Sequence, residues 1–186
     1  MCAQRMKIYL KDNCVPYRVS ACFAKLDATH GYFQIPLDEE ASRLTTFILP
    51  SGRFRYLRAP MGLSSSWCRH SDRVVEGFPW CKKIVDDILI WASTPSDLDL
   101  QISQVVQRCQ DLHVTQSKYK FQIATSLKFA GCVVSSSGVS PDPDRVSALA
   151  NFPTPTDQTS VRSFLGLCNQ LAFFLPDYQH LSLIHI

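Results

Sequence analysis

The segment Lys82-Lys83-Ile84-Val85-Asp86-Asp87-Ile88-Leu89-Ile90-Trp91 narrows what this chain can fold into more than any other. Isoleucine, valine and tryptophan favour extended backbone, because branched and aromatic side chains pack well on a pleated surface. Two adjacent aspartates interrupt that run. Aspartate makes local hydrogen bonds that suit turns, so the pattern predicts a hairpin of two apolar strands with Asp86-Asp87 as its tight turn. Two readings stand on these residues alone: the turn needs polar side chains, or the fold needs two carboxylates.

With 186 residues, 46% of them hydrophobic, the chain suits one domain, or one domain and part of a second, around a sizeable core. A net charge of +3 is compatible with a polyanionic partner without requiring one. The eight cysteines contain no C-x-x-C pair and bracket no histidines at zinc-finger spacing. Reduced thiols in an intracellular compartment are expected. No signal peptide and no bilayer-length apolar run is found, so no membrane partner is expected.

Residues 1–21 are weakly patterned. Cys22 to Asp27 reads as a strand ending in an acid, Thr29-His30-Gly31 as a turn, and Tyr32 to Ile35 as the start of a second strand. Asp38 is a helix N-cap with acids following it, which suits the helix dipole. Thr45 to Leu49 and Arg53 to Arg58 form a hairpin, with Arg53 and Arg55 on one face and Phe54 and Tyr56 on the other. Ser64-Ser65-Ser66 caps a helix of about three turns. Ser96 or Asp97 caps another, whose stripe of Leu98, Ile102, Val105, Val106, Cys109 and Leu112 faces the core. Lys118 to Ile123 and Leu127 to Val134 read as strands. Pro141 to Asp144 starts a helix with Val146, Leu149 and Ala150 inward, and Asp157 caps the last helix. Antiparallel strands mixed with helices make the fold class α+β.

Asp27 ends one apolar strand and Asp86-Asp87 interrupts another. If those strands are neighbours, the carboxylates converge, and clustered carboxylates stay ionised only beside a cation. Mg²⁺ takes oxygen ligands from one or two carboxylates and completes its shell with water and phosphates. A pair of such ions, about 3.5–4 Å apart, serves an in-line phosphoryl displacement. Taken singly, each acid also reads as an ordinary turn or strand-end residue.

In order, Phe23-Ala24-Lys25-Leu26-Asp27, Gly31-Tyr32, Gln34-Ile35-Pro36-Leu37-Asp38-Glu39-Glu40, Gly52-Arg53-Phe54-Arg55-Tyr56, Pro60-Met61-Gly62-Leu63 and Val85-Asp86-Asp87-Ile88 resemble the reverse transcriptases of gypsy-type LTR retrotransposons. Lys128-Phe129-Ala130-Gly131-Cys132 and Val161 to Asn169 extend the similarity. The resemblance implies a polymerase palm with an antiparallel sheet, helices packed on one face, partial fingers and the start of a thumb. Residues 1–21 would be a fingers remnant or leader, 22–123 the palm with part of the fingers, 124–140 the primer-grip hairpin, and 141–180 the start of the thumb. Residues 181–186 depart from the family and read as a non-native tail.

The implied activity is RNA-directed DNA polymerisation by two-metal nucleotidyl transfer, by a fragment of a pol polyprotein. Asp27, Asp86 and Asp87 would be the catalytic, metal-binding triad, with two Mg²⁺ ions, or Mn²⁺. Tyr32 would exclude a ribose 2′-hydroxyl, Met61 and Gly62 would line the nucleotide pocket, and Phe129, Ala130, Gly131 and Cys132 would press on the primer end. Implied partners are an RNA or DNA template with primer and deoxynucleoside triphosphates, with ribonuclease H and integrase regions in the parent polyprotein. The setting would be cytoplasmic and particle-associated. Basic residues such as Arg53, Arg55, Lys83, Lys118, Lys120 and Lys128 could follow phosphates or form a solvated face. The other readings are a palm-like relic that at most binds nucleic acid, and another two-metal phosphotransfer enzyme such as a nuclease.

Overall fold

The structure, a computed structural model, describes residues 20–174. All but the end of the expected fingers remnant, the tail at 181–186, and Cys2 and Cys14 lie outside the described residues. The chain forms two compact units, one of residues 20–125 and one that includes residues 126–174.

The first unit is built on a four-stranded antiparallel sheet in the order β4-β5-β1-β6, comprising β1 (Cys22–Asp27), β4 (Cys81–Ile84), β5 (Asp87–Ala92) and β6 (Gln122–Ala124). Alternate residues of a strand point to opposite faces. Ala24 and Leu26 of β1 and Ile88, Ile90 and Ala92 of β5 therefore share one face, and they form a core with residues of two helices. Those helices are α2 (Ser64–Val75), through Trp67 and Val74, and α3 (Pro95–Asp111), through Leu98, Val105 and Cys109. Helices on one face of an antiparallel sheet give the expected α+β palm-like architecture.

The α3 stripe packs as its spacing predicts except at Val106, which is exposed at the edge of the stripe, and the cap is Thr94, whose side chain accepts from Asp97 N at 3.2 Å. Pro95 occupies the first turn, where a missing N–H leaves nothing unsatisfied, so the helix is capped two residues ahead of Ser96 and three ahead of Asp97, the expected caps. Helix α2 begins at Ser64 with Leu63 in the capping position and no side-chain cap bond, so the serines stand inside the first turn. Asp38 caps α1 (Glu39–Leu44), accepting from Ala41 N at 2.7 Å. The short hairpin of β2 (Phe47–Leu49) and β3 (Gly52–Phe54) stacks Phe47 on Phe54 and Tyr56, as its alternation predicts.

Tyr32 to Ile35 is not a strand: Gly31–Gln34 is a 3-10 turn. His30 takes the left-handed conformation ahead of it (φ 49°). The Gln34 amide donates to Thr29 O (2.5 Å) and Thr115 O (3.0 Å) and accepts from Thr115 N (2.7 Å). These bonds satisfy a tight turn instead of a ladder. The expected strand over Lys118 to Ile123 shortens to β6 for a similar reason. Ser117 N donates to Asp27 O (2.7 Å), and the chain then turns through residues 118–120.

The second unit carries a three-stranded meander of β7 (Ser126–Phe129), β8 (Cys132–Ser135) and β9 (Gly138–Pro141), then α4 (Pro143–Ala150) and α5 (Gln158–Leu171). The turn between β7 and β8 is Ala130-Gly131, both with positive φ (52° and 80°), the backbone of a two-residue hairpin. Helix α4 does not bury the expected stripe: Val146 is 43% exposed, Ala150 is exposed and Leu149 half-buried. Polar contacts fix its start instead. Asp142 caps it through Asp144 N, and Lys128 pairs with Asp142 (2.9 Å) and with Asp144. Asp157 caps α5 in a reciprocal capping box with Ser160. No helix of the described residues is long and apolar enough to cross a membrane.

Candidate active site

Register brings the acids together. In the β1–β5 ladder Asp27 lies directly opposite Asp87, and residues so paired project to the same face. Lys25 stands two residues back on that face, and its ammonium is 3.1 Å from Asp87 Oδ2. Asp86 occupies the hairpin turn, where its carbonyl accepts from Ala28 N at 2.9 Å and ties the turn to the end of β1. The expected turn at Asp86-Asp87 is shifted by one residue. Val85 and Asp86 make the bend, and Asp87 already belongs to β5.

That shift puts a β-branched residue where it is disfavoured, because Val85 has φ 55°. Such a conformation costs of order 1–3 kcal/mol and persists only where surroundings impose it. Trp67 imposes it here. The side chain is 1% exposed, and its Nε1 donates to Val85 O at 3.0 Å. Lys83 supports the same helix: its ammonium, on a side chain 8% exposed, donates to Cys68 O and Ser71 Oγ and pairs with Asp72. Lys83 is thus a strut between β4 and α2 and not a phosphate contact. Arg55 is likewise engaged, at 2.7 Å from Glu39, whose carboxyl is held low by Arg55 first and Arg43 second.

Gly31 is buried against this assembly. A Cβ there would stand 2.6 Å from the Trp67 ring and 2.9 Å from Asp86 Oδ1. Tyr32 follows, half-buried, its ring centroid 6.4 Å from that of Trp67. Tyr32, Trp67 and the Val85-Asp86 turn therefore form one packed series. Met61, 69% exposed, and Gly62 form an exposed turn leading into α2. The hairpin at 129–132 belongs to the second unit. Phe129 and Cys132 are buried there, and the tip residues Ala130 and Gly131 are half-buried, with the Arg145 guanidinium against Gly131.

Electrostatics mark the acids as strained neighbours. Burial, then Asp27 and Asp87, push the Asp86 carboxyl above its usual range, with Lys120 opposing. Asp87 is also raised, by burial and by Asp27, while Lys25 pulls it down. Lys120 pairs with Asp27 at 2.9 Å, which raises the lysine. Among the described residues no group of three or more acid, histidine or cysteine side chains stands ready-formed as a metal cage. The donor set nevertheless suits a hard cation. Asp86 Oδ1 is buried with no hydrogen-bond partner among the described residues, and an unpartnered carboxylate oxygen beside two further carboxylates is what a divalent cation satisfies.

Sequence reasoning singled out the three aspartates that the register brings together, and it overlooked Trp67, Gly31 as a space-limited position, and Lys83 as a strut. Trp67 had a signal, as a large aromatic among the polar residues of α2. Trp67→Phe removes the donor to Val85 O and part of a filled volume. It is expected to lower stability by about 2 kcal/mol, read as a lower urea midpoint.

An antiparallel sheet backed by two helices, with three aspartates gathered at one end, defines a polymerase palm. A family profile described as Reverse transcriptase (RNA-dependent DNA polymerase) matches residues 4–167. The Retrovirus-related Pol polyprotein from transposon gypsy of Drosophila melanogaster is 34% identical over 163 residues, which is 84% of this chain and 16% of that polyprotein. The counterpart from transposon 297 of the same species is 29% identical over 167 residues, covering 86% and 16%. The foamy viral protease-reverse transcriptase in complex with an RNA/DNA hybrid superposes with a TM-score of 0.73 at 18% identity, over 83% of this chain and 22% of that one. The complex of the same enzyme's dRH form with double-stranded DNA gives 0.77 at 19% identity, over 87% and 29%. The chain belongs to the reverse transcriptase family, and it spans 16% of the length of those two polyproteins.

Proposed function

We propose that this chain is the nucleotide-transfer region of a retrotransposon reverse transcriptase and acts on a primer annealed to an RNA or DNA template. The primer 3′-hydroxyl attacks the α-phosphate of a deoxynucleoside triphosphate. A phosphodiester forms, and pyrophosphate leaves. The observation that carries this reading is the Asp27–Asp87 register with Asp86 in the adjoining turn.

Asp27, Asp86 and Asp87 would hold two Mg²⁺ ions, which when bound neutralise charge on the attacking and leaving oxygens. The chain's own contribution is positioning. Trp67 and Ala28 hold the turn, so the Asp86 carboxylate stays aimed at one place. Tyr32, packed on the same turn through Trp67, would stand under the sugar and exclude a 2′-hydroxyl by bulk. Met61 and Gly62 would border the nucleotide, and the 129–132 hairpin would meet the primer through its backbone tip. The proposed setting is cytoplasmic, as the family resemblance implies. Ribonuclease H and integrase regions in the parent polyprotein complete the proposal.

The test is template-directed incorporation. The chain is mixed with a DNA primer on an RNA template, Mg²⁺ and one deoxynucleotide at a time. Only the complementary nucleotide is expected to be added, and chelation is expected to stop addition. Degradation of unprimed nucleic acid with no nucleotide requirement would instead identify a nuclease. Tyr32→Ala is expected to admit ribonucleotides that the wild type rejects.

A further inference from the structure

Without a divalent cation, the three acids are served unequally. Asp87 is paired with Lys25, which stands on the same strand face with its side chain 20% exposed. Asp86 Oδ1 is buried and has no hydrogen-bond partner among the described residues. Asp27, itself 15% exposed, is paired at 2.9 Å with Lys120, whose side chain is 65% exposed. Lys120 comes from the turn at residues 118–120, and that turn is registered on Asp27 by the bond from Ser117 N to Asp27 O.

The two lysines therefore differ in how easily they can leave. Lys25 is packed on the sheet and has little room to move. Lys120 reaches in from solvent on a long flexible stem and can swing back to water at small cost. A divalent cation reaching Asp27 would meet an ammonium already paired with that carboxylate. One double charge can replace one single charge there, because its attraction to each carboxylate is about twice as large at equal distance.

We propose that Lys120 is a positioning residue that holds the place of the divalent cation at Asp27 and is displaced when that cation binds, so that it sets the cation concentration at which the site fills. The inference rests on the reading of Asp27, Asp86 and Asp87 as cation ligands. It makes Lys120 part of the site before loading, where it keeps Asp27 oriented and offsets the mutual repulsion of the acids.

The test is direct Mn²⁺ binding to the whole chain, read from the electron paramagnetic resonance of free Mn²⁺. Lys120→Gln is expected to tighten binding roughly tenfold. It is also expected to melt lower than wild type without metal and to gain more on adding Mn²⁺. Lys118→Gln removes the same charge from the same turn and is expected to change neither quantity. Lys120→Arg keeps the cation and is expected to behave as wild type. Equal effects of Lys118→Gln and Lys120→Gln, or unchanged or weaker binding in Lys120→Gln, would overturn the proposal. Absence of Mn²⁺ binding in every variant would overturn it together with the metal-ligand reading. Tighter binding in Lys120→Gln by a chain that extends no primer would leave this inference standing and remove the polymerase reading. Normal extension with unchanged Mn²⁺ binding would do the reverse.

Discussion

Asp86→Asn is expected to melt higher than the wild-type chain and to incorporate no nucleotide. Burial and the neighbouring Asp27 and Asp87 hold the Asp86 carboxyl above its ordinary value of 3.8. The folded state therefore binds more protons than the unfolded state from about 3.8 up to that raised value. The favourable contribution of the protonated group is complete below 3.8 and is lost as pH rises through the raised value. Above that raised value the ionised carboxylate opposes folding, and a neutral amide of the same shape removes that opposition. Melting curves at pH 7 and near pH 4 check the sign. The advantage of the variant is expected to be largest at pH 7 and to shrink on acidification, because the wild-type acid then becomes neutral as well. An advantage that grows on acidification would contradict the assignment. Stability gained together with activity lost is the signature of a group retained for function.

Gly31→Ala is expected to damage both fold and site. The requirement at this position is space. The added methyl would meet Trp67 Cε2 and Cζ2 at 2.6 Å and Asp86 Oδ1 at 2.9 Å. The Trp67 ring is 1% exposed and bonded through Nε1 to Val85 O. It can retreat only by breaking that bond or by displacing the core behind it. Overpacking of this kind costs about 1–3 kcal/mol, and here it also releases the strained turn that aims Asp86. A lower urea midpoint, altered tryptophan fluorescence and a loss of nucleotide incorporation are expected together. Because the two closest contacts are with the Trp67 ring, Trp67→Phe combined with Gly31→Ala is expected to be less damaging than the sum of the two single changes. Strict additivity would show that the clash is relieved elsewhere.

Much of the palm was legible because local pattern and tertiary structure agree there. The apolar run of β1 ending at Asp27, the α3 stripe apart from the exposed Val106, and the caps at Asp38 and Asp157 are short-range features that appear as expected. The places where local preference lost are those governed by distant partners. Valine does not favour positive φ, so no local rule puts Val85 in the turn; Trp67 and Ala28, far away in sequence, hold it there. The Tyr32 segment alternates like a strand, but Gln34 ties it to Thr115, which the sequence does not reveal as a neighbour. Helix α4 has an apolar stripe on paper, yet Lys128 and the Asp142 cap fix it by polar contacts. The candidate acids were readable from their type and order. Their pairing with Lys25 and Lys120 was not, because it depends on strand register and on a turn that arrives from 93 residues away.

Single-nucleotide incorporation on a primed RNA template, with Mg²⁺, comparing the wild-type chain with Asp27→Asn, Asp86→Asn and Asp87→Asn, tests the three-aspartate site most directly. The expected result is template-directed addition by the wild type and a loss of at least about a hundredfold in each folded variant, in line with losing a major electrostatic contribution to the transition state. Wild-type rates in any one of the three would contradict the assignment of that aspartate. Wild-type rates in all of them would contradict the site.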